Sequence, residues 1–332
     1  MGKFKVVLTS RVLTQKEMET YGMELGAEFI TIPCRTEDEL IASAQDADAV
    51  VTLMQPYSRR VIDQLYRCKL IYNAGTGFDT IDIAAATERG IYVAYPGDYC
   101  MEEVAEHAIA LLLASARKIT RLDRAVRQGK WVGFEKRAIR NKILPPVFRI
   151  NGSTMGIIGF GRIGKATAAR GKALGMKVVV YDPYVDAGVL TQHGVTGLTL
   201  ESLLKESDFV VLQAASSAET VHLIGMEQFR MMKPTAYIIN TARGSNIDQK
   251  ALFTALSERL IAGAAVDVVE EEPDGIGADH PLLTLDNVIV TAHSAYYSEE
   301  SSAKYKRRIF EAVASVINDQ RPEWLINPEV RA

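Results

Sequence analysis

The sequence predicts an α/β protein with two domains, each built on a parallel sheet, and three observations carry that prediction. The chain has 332 residues, of which 48% are apolar, enough for two cored domains at about 150 residues each. Short apolar, β-rich runs alternate with helical patterns along nearly its whole length, the pattern of βαβ units and hence of parallel strands. The stretch Gly159-Phe160-Gly161-Arg162-Ile163-Gly164 stands where an apolar run, Met155 to Ile158, gives way to a helical segment from Lys165 to Gly175.

Taken in order, the first series offers strands at Lys5–Leu8, Glu28–Ile32, Ala49–Leu53, Leu70–Tyr72 and Ile91–Ala94. Thr14 with Glu17, and Thr36 with Glu39, have the spacing of capping boxes and mark two helix starts. Gly90 suits the position just past the helix that carries Ile83 to Arg89, and Pro96-Gly97-Asp98 closes the series. Val104 to Ile119 reads as a helix apolar almost all round, so burial on several sides is expected, between domains or subunits. His107, within it, reads as a packing residue rather than a catalytic one. Gly129 to Asn151 is irregular and basic, with Pro145-Pro146, and is expected to be an extended arm anchored by Trp131. The second series then runs through Met155–Ile158, Met176–Tyr181, Phe209–Leu212, Ala236–Asn240, Gly263–Val268 and Val288–Thr291. A long amphipathic helix, Ser298 to Asn318, leads into a tail containing Pro322 and Pro328.

The composition argues against several function classes. A formal net charge of -3, with no run of like charges forming a tail, gives no field suited to nucleic acid. The densest basic patch, Lys304, Lys306, Arg307 and Arg308, reads as one solvated helix face. Cys34, Cys68 and Cys100 form no CxxC pair, which argues against zinc and for reduced thiols in a cytoplasmic setting. The apolar part of the first residues is too short for a signal peptide, and the helix holding Leu111-Leu112-Leu113 is too short to span a bilayer. A soluble cytoplasmic protein is expected, with no metal, membrane or nucleic-acid partner.

The three glycines have separable roles in a dinucleotide site. Gly159 turns strand into helix, Gly161 lets backbone amides approach a pyrophosphate, and Gly164 allows close helix-strand packing. The phosphates then sit at the positive end of the helix. The next strand ends at Asp182, an offset of 182 − 159 = 23, which matches the carboxylate expected about 20 residues on to bind an adenosine ribose. Pro183 and Tyr184 follow, with no cation for a 2′-phosphate, so NAD is favoured over NADP. Ligands of such sheets bind beyond the carboxyl ends of the strands. Three reactive side chains follow strands there: Arg243, Glu272 and His293. A guanidinium grips a carboxylate, an imidazole passes a proton near neutral pH, and an adjacent carboxylate orients the ring and favours the imidazolium. That equipment suits reduction of a 2-oxo acid by hydride transfer. Each side chain alone also fits a structural role, with Arg243 pairing with a surface acid, Glu270 to Glu272 forming a solvated loop, and His293 acting as a cap. Their shared position downstream of the glycine fingerprint favours catalysis.

At this point the sequence resembles the D-isomer-specific 2-hydroxyacid dehydrogenase family over nearly its whole length. The resemblance is carried by Gly75-Thr76-Gly77-Phe78-Asp79-Thr80-Ile81-Asp82, Glu103-Val104-Ala105-Glu106-His107-Ala108, Gly159 to Gly164, Asn240 to Gly244, Asp267 to Pro273 and Thr291-Ala292-His293. It implies two Rossmann-like/flavodoxin-like domains with parallel sheets and a cleft between them. The substrate-binding domain would be discontinuous, residues 1–101 plus 299–332, with an NAD-binding domain at 102–298 and the crossing helix near Val104 helping to form a homodimer. Arg243 would bind the substrate carboxylate or carbonyl, His293 would be the acid/base and Glu272 its partner. Gly159, Phe160, Gly161, Arg162, Ile163, Gly164, Asp182, Thr241, Ala242 and Asp267 would hold NAD. Asn73, Ala74, Gly75 and Thr76 would present backbone amides to the substrate, with Gln55 and Tyr296 also on the substrate side.

The departures from the family pattern matter as well. Gln213-Ala214-Ala215 replaces a usual His-x-Pro, removing a nicotinamide-side wall but no catalytic group. Ser294-Ala295-Tyr296-Tyr297 replaces a common Gly-Gly pair. That resembles the branch of the C-terminal binding proteins and phosphoglycerate dehydrogenase-like proteins, and implies a pocket for a larger or aromatic 2-oxo acid. An NAD(H)-gated dimeric scaffold without physiological catalysis is the alternative. The scaffold would want a peptide groove or a long regulatory tail, and the chain ends shortly after its last helix, so the enzyme is favoured. Arg59 and Arg60 would be the groups to receive a phosphorylated substrate, although helix-surface arginines are commoner, and no serine-feedback domain is expected after Ala332.

Overall fold

The computed structural model describes residues 2–131, 133, 135–144, 146–272 and 274–330. Pro145 of the basic arm, Pro273 of the acidic turn and Ala332 lie outside the described residues. The chain divides into two compact units, Met1–Tyr99 with Ser298–Ala332, and Cys100–Tyr297.

The first unit holds five parallel strands: β1 (Phe4–Leu8), β2 (Ala27–Thr31), β3 (Ala49–Thr52), β4 (Leu70–Asn73) and β5 (Tyr92–Ala94), in the order β2-β1-β3-β4-β5. This is the flavodoxin-like order, whose switch point lies between β1 and β3. Val6, Val7, Leu8, Val50, Val51 and Ile71 are fully buried, because a parallel sheet covered on both faces requires continuous apolar strands rather than alternation. Both capping boxes form, with Thr14 and Thr36 accepting from the amides of Glu17 and Glu39. Gly90 takes φ 68, as the position after a helix end requires. The helix Glu299–Ile317, capped by Ser298, packs Ile309, Val313 and Val316 into this unit's core. Its cations are not one solvated face: Lys304 pairs with Asp98, Lys306 with Glu17, Arg307 with Glu311, and Arg308 with Glu311 and Glu323.

The second unit holds β6 (Thr154–Ile158), β7 (Lys177–Tyr181), β8 (Thr196–Gly197), β9 (Phe209–Leu212), β10 (Tyr237–Asn240), β11 (Gly263–Val266) and β12 (Val288–Val290), ordered β12-β11-β10-β9-β6-β7-β8 and all parallel. This is the Rossmann order with one strand more, and its order reverses between β6 and β9. Ile157, Val211, Ile239 and Ala265 feed one core layer while Ile158, Val210, Leu212, Ile238 and Ala264 feed the other. The two-residue β8 was not expected, being too short for any periodic signal. The apolar helix spans Met101–Ala116, and Lys118, at φ 54, separates it from a second helix, Ile119–Arg127. Ala108, Leu111 and Leu112 pack into the second unit's own core, so the apolar girth of this helix serves its own sheet.

The basic stretch is not an extended arm. It contains a short helix, Glu135–Ala138, and a π-helical turn, Ile139–Ile143. Trp131, expected to anchor it by packing, is 61% exposed, with the Lys136 ammonium 5.9 Å from its ring centroid.

Candidate active site

The glycine loop joins β6 to the helix Arg162–Ala173 beside the switch point. Gly159 has φ 92, and a Cβ there would lie 2.6 Å from the Ala214 nitrogen, so both conformation and space demand glycine. A Cβ on Gly164 would come 2.2 Å from the Gly159 carbonyl oxygen, which fixes helix against strand. A Cβ on Gly161 would meet nothing within 4 Å. The opening thus lies at the cap of the helix, where backbone N–H groups are available to an anion. Asp182 faces the same loop: Oδ2 accepts from the Phe160 amide at 2.7 Å and Oδ1 from the Tyr184 amide at 3.0 Å. Amides, open cap and carboxylate together fit a dinucleotide.

Past β10, Asn240 shapes the turn that carries Arg243. Its Oδ1 accepts from the Ala242 amide at 3.0 Å and its Nδ2 donates to the Arg243 carbonyl at 2.8 Å. Arg243 Nη1 donates to the Ala242 carbonyl at 2.9 Å. Gly244 lets this turn lie directly on the segment after β11, since a Cβ there would stand 2.0 Å from the Val269 carbonyl oxygen. Thr241 Oγ1 accepts from Gln213 Nε2 at 3.0 Å, so Gln213 is tied to the neighbouring strand end.

His293 follows β12 in the left-handed region, at φ 48. Its amide donates to the Asp267 carbonyl at 2.8 Å. The Asp267 side chain, 1% exposed, holds the rest of the turn. Its Oδ1 accepts from Thr291 Oγ1 at 2.5 Å and from the Ser294 amide at 3.0 Å, and its Oδ2 accepts from the Ala295 amide at 2.9 Å. His107 Nε2 lies 3.1 Å from Thr291 Oγ1 and 3.5 Å from Asp267 Oδ1, a buttress of this turn. Asp267, read from the sequence as a cofactor residue, organises this turn, a role that sequence reasoning missed; a carboxylate ahead of several backbone amides was the available signal. The imidazole Nδ1 of His293 stands 3.0 Å from Glu272 Oε1. With Nδ1 facing a carboxylate, Nε2 is the nitrogen left to exchange a proton. The Tyr296 ring lies edge-on to the imidazole, centroids 6.2 Å apart. The structure thus brings Glu272 and His293 into contact and sets the Arg243 turn against the segment that leads to Glu272.

Residues 109–295 match the family described as D-isomer specific 2-hydroxyacid dehydrogenase, NAD binding domain. A glyoxylate reductase of Korarchaeum cryptofilum (strain OPF8) is 39% identical over 292 residues, covering 88% of this chain and 86% of that protein. The chain belongs to the D-isomer specific 2-hydroxyacid dehydrogenases. This dehydrogenase is an NAD-dependent oxidoreductase of the CH–OH group, interconverting 2-oxo and 2-hydroxy acids. A D-3-phosphoglycerate dehydrogenase of Methanocaldococcus jannaschii is 38% identical over 294 residues, 88% of this chain but 54% of that protein. Among solved structures, D-lactate dehydrogenase from Aquifex aeolicus complexed with NAD and lactic acid superposes with a TM-score of 0.83 at 29% identity, covering 97% of this chain and 98% of that one.

The remaining assigned residues of the dehydrogenase lie at the carboxyl ends of β3 and β4. Asn73, 1% exposed, donates Nδ2 to the carbonyls of Gly75 at 2.8 Å and Gly77 at 2.7 Å, which shapes the loop 73–77. The Ala74 amide donates to the Thr52 carbonyl at 2.7 Å. Gln55 Oε1 accepts from Ser10 Oγ, Thr52 Oγ1 and the Leu53 amide at 2.8–2.9 Å. Arg59 is paired with Glu88, and Arg60 with Glu37 and Asp38, so both weighed phosphate ligands are engaged elsewhere. Among the described residues, no group of three His, Cys, Asp or Glu is arranged to hold a metal, and no helix is long and apolar enough to cross a membrane. Cys34, Cys68 and Cys100 are buried.

Proposed function

We propose that the chain reduces a bulky or aromatic 2-oxo acid, with His293 as the acid/base, Glu272 as its orienting partner and Arg243 as the grip on the substrate carboxylate. The observation that carries this reading is the 3.0 Å contact between His293 Nδ1 and Glu272 Oε1 at the end of β12. Gly159 to Gly164 and Asp182 would hold NADH, which when bound would supply the hydride for the carbonyl carbon. His293 delivers the proton from Nε2 to the carbonyl oxygen, and Glu272 orients the ring through Nδ1. In the oxidative direction the same nitrogen takes the hydroxyl proton. The Arg243 fork holds the substrate carboxylate in plane through paired N–H donors. The loop Asn73 to Thr76 is assigned as a source of backbone amides for the same carboxylate, with Gln55 beside it. Tyr296, 42% exposed and edge-on to His293, is assigned as the residue that selects the side chain of the acid.

Asp182 favours NAD over NADP, since a 2′-phosphate would approach a carboxylate. A cytoplasmic homodimer is proposed on the strength of the family resemblance. The deciding experiment is a panel of 2-oxo acids with NADH, from glyoxylate to aryl-bearing acids, run on the wild type and on Tyr296→Ala. The best kcat/KM is expected for a bulky acid, with the preference flattened in the variant. A preference for glyoxylate retained by both proteins overturns the size assignment.

A further inference from the structure

Glu270-Glu271-Glu272 form three separate carboxylate-imidazole pairs, of which the reaction uses one. Glu270 Oε1 is bound by His222 Nε2, and Glu271 Oε1 by His280 Nε2 at 3.2 Å; Glu272 pairs with His293. Gln249, the first residue of the helix Gln249–Ser257, stitches the first two together. Its backbone N–H donates to Glu270 Oε2 at 3.2 Å, its Oε1 accepts from the Glu270 amide at 3.3 Å, and its Nε2 donates to Glu271 Oε1 at 2.6 Å. His280 Nδ1 accepts from the Leu282 amide at 3.3 Å, which leaves the ring proton on Nε2, facing Glu271. The three anchors come from different places in the second unit. His222 precedes the helix Met226–Met231, Gln249 opens the next helix, and His280 caps the 3₁₀ turn Pro281–Thr284.

A turn whose glutamates were merely solvated would leave Glu272 free to swing. Here the two residues before it are each bound by a histidine and by Gln249, and its own side chain, 15% exposed, places Oε1 3.0 Å from the ring nitrogen. We propose that His222 and His280 are positioning residues that clamp Glu270 and Glu271 and so hold Glu272 against His293; the inference rests on the acid/base role proposed above. Misplacing a catalytic group by about 1 Å costs up to about 10²-fold in rate. His222→Ala and His280→Ala are each expected to lower kcat by about 10- to 100-fold, with KM for the oxo acid and NADH affinity close to wild type. His222→Gln, which restores a donor near the Nε2 position, should recover most of the loss.

A second readout needs no turnover. In protein with ¹⁵N-labelled histidine, the His293 Nδ1 proton facing Glu272 Oε1 is expected to give a low-field resonance, which Glu272→Ala weakens. That resonance should weaken in His222→Ala and His280→Ala and return in His222→Gln. A purely structural role would lower the folded fraction without touching this signal in the molecules that remain folded, and His222→Gln and His280→Gln supply near-isosteric variants should either alanine variant fail to fold. A wild-type Nδ1 signal in every clamp variant overturns the proposal, and so does a weakened signal with wild-type kcat. A wild type that reduces no 2-oxo acid overturns the functional reading alone, because the ring-proton signal still decides the clamp.

Discussion

Asp267→Asn changes one oxygen to an amide nitrogen, without altering shape, at the residue that organises the His293 turn. The carboxylate accepts from the amides of Ser294 and Ala295 and from Thr291 Oγ1 while almost fully buried. Asparagine keeps one oxygen, so one of the two backbone amides faces an NH2 group and loses its acceptor. A hydrogen bond to a charged group contributes about 1.5–3 kcal/mol, and a buried donor left unpaired costs about 1–3 kcal/mol. Thr291 can turn its hydroxyl to accept instead, and these terms describe overlapping losses, so a net cost of about 2–4 kcal/mol is expected. For a domain of this size that corresponds to roughly 4–16 °C in Tm, read by differential scanning calorimetry on the transition that includes the second unit. His293 sits on the turn that loses the bond, so kcat should fall in the same variant. Asp267→Ala, which removes both acceptors, should be worse on both counts. A Tm within about 1 °C of wild type, together with unchanged kcat, would refute the reasoning that Asp267 holds this turn.

Four further outcomes are expected. His293→Ala should lower turnover of the best oxo acid by about 10²–10⁴-fold with NADH binding intact by calorimetry, whereas Arg243→Lys should chiefly raise KM, because an ammonium lacks the planar fork; full activity in His293→Ala would end the assignment. Asp182→Ala should narrow the gap between NADH and NADPH affinities, and equal affinities already in the wild type would remove the basis of that expectation. Burial pushes the Cys68 thiol up to about 12, so at pH 8 the folded protein should leave Cys68 unlabelled by iodoacetamide and urea should expose it; native labelling at the rate of a free thiol would contradict the buried placement.

Strands were legible because a parallel sheet buried on both faces needs consecutive apolar residues, and Phe209–Leu212 and Thr154–Ile158 hardly permit another reading. Helix starts were legible where a local hydrogen bond makes them, at Thr14, Thr36 and Ser298. What failed depended on partners distant in sequence. Trp131 carries no signal that separates a packed indole from an exposed one, and Lys304, Lys306 and Arg308 look like one solvated face until Asp98, Glu17 and Glu323 arrive from other elements. The break at Lys118 was invisible because nothing about a lysine announces a left-handed residue. At the site, the pairing of Glu272 with His293 was expected from the sequence, whereas those of Glu270 with His222 and of Glu271 with His280 were not, because the fold brings these two histidines from other segments.

That difference has a physical origin in the architecture. A sheet covered on both faces leaves little room for ionisable groups in its strands, so most gather in the connections beyond the strand ends, where backbone polar groups also need partners. The connection after β12 meets both demands together. His293 adopts φ 48, a left-handed conformation that costs a non-glycine residue roughly 1–2 kcal/mol. Glycine would relieve that cost but could not carry a proton. The conformation persists because Asp267 takes up the amides on the far side of the bend and receives the His293 amide on its own carbonyl. A buried carboxylate is in turn stable only when its oxygens are satisfied, which the same turn accomplishes. Strain at the imidazole and burial of the acid are therefore solved by one set of hydrogen bonds, so neither residue can be exchanged without disturbing the other.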